Sequence, residues 1–360
     1  MKNVLHISPF IRMIIGLFGI VLIVFILIMT KAILIPLTFA LIFSFLLHPL
    51  CRKLEKMHVP PPLAALLCII FIFILLGGII FLVSLQVSNL TADIPVLKTK
   101  VESLLNDFLI KFGHLFGWSH ATTKDVLNES LNNSINEGGS VITTTVSITS
   151  SAITTFIILL VSTFFFLYYR MFFKQFVYKI FKGYNHRYVK QVMIQMQSVV
   201  QNYIVGLATV IAIIGILNSL GLFILGVKYA LFFGLFGALL NVIPYVGVLV
   251  GGLLPTIYAL ITKDSLWYPV GVIGIYWTVQ ILEANLITPN IVGSKVSLNP
   301  FAAILAILVG EQIWGIAGMI LAIPVLAICK VVFDTIEPLK PIGFVLGEPG
   351  SEKQKRKSLL

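Results

Sequence analysis

Eight apolar runs, each close to the length of a bilayer crossing or longer, constrain this chain more than any other feature. They cover 13–30, 32–50, 63–85, 152–169, 203–227, roughly 229–262, 266–287 and 301–333. A helix needs about 20 such residues to cross the hydrocarbon core. Inside lipid every backbone N–H and C=O must be satisfied within the protein, so such runs fold as helices. The expected fold is therefore all-α: a polytopic membrane protein with about eight transmembrane segments. The two longest runs, 229–262 and 301–333, exceed one untilted helix and are expected to be broken or re-entrant. Only 11% of residues are charged, against about 25% in soluble domains. The first run is longer than the roughly 7–15 apolar residues of a cleaved leader, and a second run follows at once. It is expected to stay as the first helix.

The cations orient these runs. With the N-terminus inside, 18 of the 25 Lys and Arg residues fall on the cytoplasmic side, Lys263 among them. Both termini are then expected in the cytoplasm of a multi-pass protein. The net charge of +11 is mostly this topology. Its cations flank spans rather than form one patch, so no nucleic-acid partner is expected.

Two polar regions separate the spans. Residues 86–150 are expected to form an extracytoplasmic helical insert, because Leu90, Ile94, Leu97, Val101, Leu104 and Phe108 recur at helical spacing. The stretch "RMFFKQFVYKIFKGYNHRYVK" alternates cations with aromatics and suits the inner headgroup layer. It leads into an amphipathic helix expected to lie on the inner surface before the fifth span. The chain then divides into three spans (1–85), the insert (86–150), the fourth span with the surface helix (151–202), a membrane core with broken helices (203–335) and a basic cytoplasmic tail (336–360).

No P-loop, HExxH or GxSxG motif is present. Cys51, Cys68 and Cys329 are scattered, with no zinc spacing. No enzyme activity, no cofactor and no resident metal is expected.

The chemistry sits in the interrupted segments. "NVIPYVGVLVGGLLP" (241–255) weakens its own helix with Pro244, Gly247, Gly251, Gly252 and Pro255. Transporters build binding sites from such discontinuous helices. Gly247 and Gly251 offer a close-packing face. Ionisable residues are costly within a span and mark pathways or proton relays. Glu283 shares a helical face with Tyr276 and Gln280, and Asn285, Pro289 and Asn290 follow. It reads either as a pathway acid or as an ion-pair partner of Lys295. Glu311 reads either as a pathway acid or as the cap of a half-helix broken at Glu311–Gln312. Gly315, Gly318 and Ala322 are expected to continue its face. Asn218 is expected to make an interhelical hydrogen bond.

Three stretches carry a family resemblance: "NVIPYVGVLVGGLLP", "QILEANLITPNIVG" (280–293) and "GIAGMILAIPVLAICKVVFD" (315–334). Together they resemble the C-terminal signature of the autoinducer-2 exporter (AI-2E) family of bacterial permeases. The resemblance implies a secondary transporter of the inner membrane, assembled as a homo-oligomer such as a pentamer. It implies a small polar solute as cargo, autoinducer-2 in some members and sodium or lithium exchanged for protons in others. Matched residue by residue, it points to Asn241, Pro244, Gly247, Gln280, Glu283, Pro289 and Gly318 as the translocation core; Asn285 and Glu311 join them from the polar pattern. An acid found near the Pro-x-x-Gly motif in part of the family is Asn241 here, which leaves Glu283 as the cation candidate. Three functions stay open: export of a small polar metabolite, Na⁺(Li⁺)/H⁺ antiport, and a membrane scaffold that transports nothing.

Overall fold

The computed structural model describes residues 8–92, 99–100, 103, 153–244, 246–293 and 298–348. The insert expected over 86–150 lies outside the described residues except for 86–92, 99–100 and 103. Of it, Lys100 donates to the Thr262 carbonyl and reaches the Asp264 carboxylate at 3.5 Å.

Every element among the described residues is helical. In chain order they are α1 (Pro9–Met29), α2 (Lys31–Lys56), α3 (Pro61–Ala92), α4 (Ile153–Tyr168), α5 (Arg170–Ile180), α6 (His186–Ile224), α7 (Ala230–Leu240), α8 (Val246–Thr262) and α9 (Trp267–Leu282). Two π-helical turns, Glu283–Ile287 and Pro289–Gly293, extend α9. Then come α10 (Pro300–Trp314), α11 (Ile316–Thr335), a 3₁₀ turn and α12 (Lys340–Leu346). Among the described residues five helices are long and apolar enough to cross a bilayer, namely α2, α3, α6, α9 with its π extension, and α11. The pair α4–α5, bent by 70°, makes a sixth. This is the all-α polytopic architecture the apolar runs call for.

The helices form two compact units. One draws on residues up to 69, on 155–201 and on 296 onward; the other draws on 70–154 and 202–295.

In the first unit, α2 is built around two internal prolines, Pro36 and Pro49. Pro49 has no N–H, so the Phe45 carbonyl loses its helical donor. Gln201 of α6 replaces it, donating its side-chain amide at 2.6 Å. One turn away, Gln197 pairs with His48 Nδ1 at 2.9 Å. Glu55 and Arg170 form a half-buried, two-toothed ion pair that ties α2 to the start of α5. The core here is of small and branched residues such as Ala40, Leu47, Cys51 and Leu167. In the second unit, Leu222, Phe232, Phe233, Tyr258 and Val272 pack α6, α7, α8 and α9 together.

Both long runs are broken, and each folds back on itself. Run 229–262 becomes α7 and α8. A Cβ on Gly251 would lie 2.8 Å from the Gly237 Cα, closer than side chains allow. Run 301–333 becomes α10 and α11. A Cβ on Gly318 would overlap the Gly310 carbonyl, and Gly315 makes the turn at φ +60°, ψ −140°. A segment that folds back at its middle returns to the side where it started, so neither run crosses as one span.

Three expectations are corrected. The second break lies at Gly315, and Glu311 and Gln312 sit inside α10, because only glycine reaches that backbone conformation cheaply. Gly315 therefore turns the chain back, and Gly318 and Ala322 pack against Gly310 rather than continuing the face of Glu311. Residues 189–203 are not a separate surface helix. They are the opening turns of α6, which runs unbroken for 39 residues. The aromatic-basic stretch begins as a helix of its own, α5, which a 70° bend after Tyr168 turns away from the axis of α4.

Candidate functional site

Glu283 begins the first π turn, where the i→i+4 ladder of α9 gives way. The cause is local. Pro289 cannot donate to the Asn285 carbonyl, and backbone bonding shifts to wider turns. Those turns bring Thr288 onto the Glu283 face. The Thr288 hydroxyl donates to Glu283 Oε1 at 2.9 Å, and the Gln280 side-chain amide donates to Oε2 at 2.6 Å. The half-buried carboxylate is thus held by one donor on each oxygen. Gln280 was legible from helical spacing. Thr288 was not, because five residues along an ordinary helix lie on a different face; the only sequence signal for it is Pro289. Lys295, the alternative ion-pair partner, lies outside the described residues.

Asn285 is placed elsewhere. It is exposed, and its side-chain amide returns to the Ile281 carbonyl at 2.9 Å. Pro289 is exposed and opens the second π turn. Tyr276, one turn before Gln280, faces the α7–α8 hairpin. Its hydroxyl donates to the Phe233 carbonyl at 3.0 Å, and its ring covers Gly237 and Gly252. Tyr276 is therefore the side chain that seats α9 on the hairpin bearing Asn241.

At the hairpin tip, Asn241 caps α7 through its backbone N–H. Tight turns then carry the chain through Pro244: Ile243 N–H bonds to the Leu240 carbonyl at 2.9 Å, and Gly247 N–H to the Ile243 carbonyl at 3.2 Å. Any Cβ at Gly247 would strike the Asn241 backbone. Asn241, Pro244 and Gly247 thus form one compact tip whose backbone groups bond largely to one another. On α6, in the same unit, the Oδ1 of Asn218 and the Oγ of Ser219 are buried without a hydrogen-bond partner. The interhelical bond expected of Asn218 is not made by that oxygen. Ser219 lies directly against Gly234 of α7, where a Cβ on the glycine would strike its hydroxyl.

Glu311 and Gly318 belong to the first unit. Glu311 is exposed on the last turn of α10, and its backbone carbonyl accepts the Gly315 N–H at 2.7 Å. Gly318 is buried against Gly310. At the tip, Trp314 donates its indole N–H to the Leu27 carbonyl of α1 at 2.9 Å. At the base, Asn299 caps α10 and donates to the Val345 and Gly347 carbonyls of the C-terminal turn.

The structure also holds a cavity of about 840 Å³ in the first unit. None of the nine residues expected in the pathway lines it.

A family model described as "AI-2E family transporter" matches residues 13–337. Among relatives, the chain is 29% identical over 312 residues to "Putative transport protein MT0215" of Mycobacterium tuberculosis, covering 82% of this chain and 81% of that one. It is 35% identical over 130 residues to "Putative transport protein YrrI" of Bacillus subtilis, and 34% over 134 residues to YueF of the same organism. Those two matches span little more than a third of either chain.

Proposed function

The chain belongs to the AI-2E family of transporters, and from that premise we propose that it exports a small polar metabolite or signal, such as autoinducer-2, across the bacterial inner membrane. The observation that carries this reading is the doubly bonded Glu283 carboxylate in a π-helical stretch of an apolar helix. A carboxylate at membrane depth is costly, and the acids kept there mark substrate and ion routes. A π turn in a span leaves backbone groups open to exchange partners. The glycine-paired hairpins supply the second ingredient, helix pairs whose backbones meet closely at Gly237–Gly251 and Gly310–Gly318.

Each hairpin returns the chain to its starting side. Lys263, at the end of α8, has its amine 3.8 Å from the Cβ position of Gly226, just after α6. Lys263 therefore shares the extracytoplasmic end of α6 and leaves the cytoplasmic set, while both termini remain cytoplasmic on the other cations. Homo-oligomerisation fits the many large apolar side chains exposed on single helices, although lipid covers such surfaces equally well.

A second reading, Na⁺(Li⁺)/H⁺ antiport, is favoured by the setting of Glu283. The Thr288 hydroxyl beside it would add an oxygen to a dehydrated cation, and no other acid occurs between Ser265 and Gly310. The experiment compares cells lacking the gene with cells carrying wild type or Glu283→Gln. Intracellular and external autoinducer-2 and metabolites are measured, and pH-driven sodium flux is followed in proteoliposomes. Export requires a solute retained in deletion cells and released on complementation. Sodium-driven proton flux lost in Glu283→Gln would replace export with antiport. Proteoliposomes that move neither would leave only the scaffold.

A further inference from the structure

The cavity in the first unit is walled by α2, α4, α5, the opening turns of α6 and the end of α11. Along α2 it runs from Leu41 to Glu55, about 20 Å at 1.5 Å per residue. Its volume of about 840 Å³ lies within the roughly 300–1,000 Å³ of ligand sites. Its deep end is apolar: Leu41, Phe45, Phe166, Met193 and Met196. Its other end is cationic: Arg52, Arg170, Lys174 and Lys190. Glu55 is the one acid in the lining, and Arg170 already holds it. Among the described residues no carboxylate lies within ion-pair distance of Arg52, Lys174 or Lys190.

The long apolar shaft and the ring of uncompensated cations ask for one kind of molecule. The polar side chains along the shaft are already engaged, Ser44 with the Leu41 carbonyl and Gln197 with His48, so a small polar solute would meet mostly hydrocarbon walls. A neutral lipid would leave the cations unanswered. α5 explains how such a site arises. Its residues at 170, 173, 174, 177 and 181 share one helical face, and all of them line the cavity. The 70° bend turns that face over the end of the shaft. By the cation distribution this end faces the cytoplasm.

We propose that this cavity binds one anionic phospholipid of the cytoplasmic leaflet. Its phosphate is held by Arg52, Lys174 and Lys190, and an acyl chain enters between α2, α4 and α6. The bound lipid would brace the bent α4–α5 pair against α2. This inference does not rest on the transport reading, and its test has no transport readout.

The test uses the purified full chain in detergent, with phosphatidylglycerol and phosphatidylcholine as probes, read by native mass spectrometry and thermal melting. Wild type should retain one phosphatidylglycerol per chain after phosphatidylcholine has washed away, and phosphatidylglycerol should raise its melting temperature. Arg52→Gln/Lys174→Gln should keep the lipid-free melting temperature and lose about tenfold in preference for phosphatidylglycerol. Met193→Trp, which fills the shaft, should lose retention of phosphatidylglycerol. Equal retention of the two lipids by wild type would overturn the proposal. So would an unchanged preference in the double variant. So would glycerol phosphate raising the melting temperature as far as the intact lipid does, because the shaft would then play no part.

Discussion

Gln201 donates its side-chain amide to the Phe45 carbonyl at 2.6 Å, in the place where the N–H of residue 49 would stand were it not a proline. A gap that Pro49 opens in the bonding of α2 is thus closed by a residue of α6, 156 positions along the chain from Phe45. The pair shows how this membrane fold works: prolines and glycines open the helices, and distant side chains close the bonding.

That pairing gives a double-mutant test. Gln201→Leu leaves the Phe45 carbonyl unsatisfied and should cost about 1–3 kcal/mol. In a Pro49→Ala background the helix supplies its own donor. The cost of Gln201→Leu should then fall below about 1 kcal/mol. Denaturant unfolding of the four proteins in detergent checks this. Equal costs in both backgrounds would mean the bond is incidental.

The glycine contacts make a contrasting set. Gly318→Ala drives a Cβ into the Gly310 carbonyl and should destabilise by about 1–3 kcal/mol or more. Gly315→Ala meets nothing within 4 Å, yet should cost about 1–3 kcal/mol from backbone strain alone. Gly274→Ala, also in open space but within α9, should be neutral or stabilise by up to about 1 kcal/mol. Thermal melts of the three variants rank these effects. A Gly318→Ala protein as stable as Gly274→Ala would contradict the close hairpin.

The Glu283 cluster separates positioning from charge. Thr288→Val removes one bond to the carboxylate and keeps its charge. Bonds to charged groups contribute about 1.5–3 kcal/mol, so flux in the assay that detects transport should drop roughly tenfold to a hundredfold. Thr288→Ser should restore it. Asn285→Ala, exposed and bonded to its own helix, should leave flux within about twofold of wild type. Loss of flux in Asn285→Ala with none in Thr288→Val would reverse the assignment.

The Arg170–Glu55 pair is half-buried, so removing one partner strands the other. Arg170→Met should cost about 2–3 kcal/mol, below the value for fully buried pairs because water still reaches both groups. Arg170→Met/Glu55→Met should recover most of that loss. Unfolding midpoints decide; a double variant worse than the single would show that the pair itself stabilises the fold.

The sequence alone determined the class of fold, that both long runs are broken, the place of the first break and the Gln280 half of the candidate site. Those features are local. Bilayer thickness sets run length, a proline deletes its own N–H, and Gln280 meets Glu283 through ordinary helical spacing. Only the tertiary structure decided that the two broken runs fold back as hairpins. A glycine reads as a gap in sequence, and its partner, Gly237 for Gly251 or Gly310 for Gly318, is chosen by the path of the chain. The same holds for Thr288, which reaches Glu283 only once the helix has widened. It holds too for α6, whose amphipathic opening looked like a surface helix and stayed part of one long rod. Contacts between residues far apart in the chain depend on the geometry of the whole fold, which no local pattern of residue types encodes.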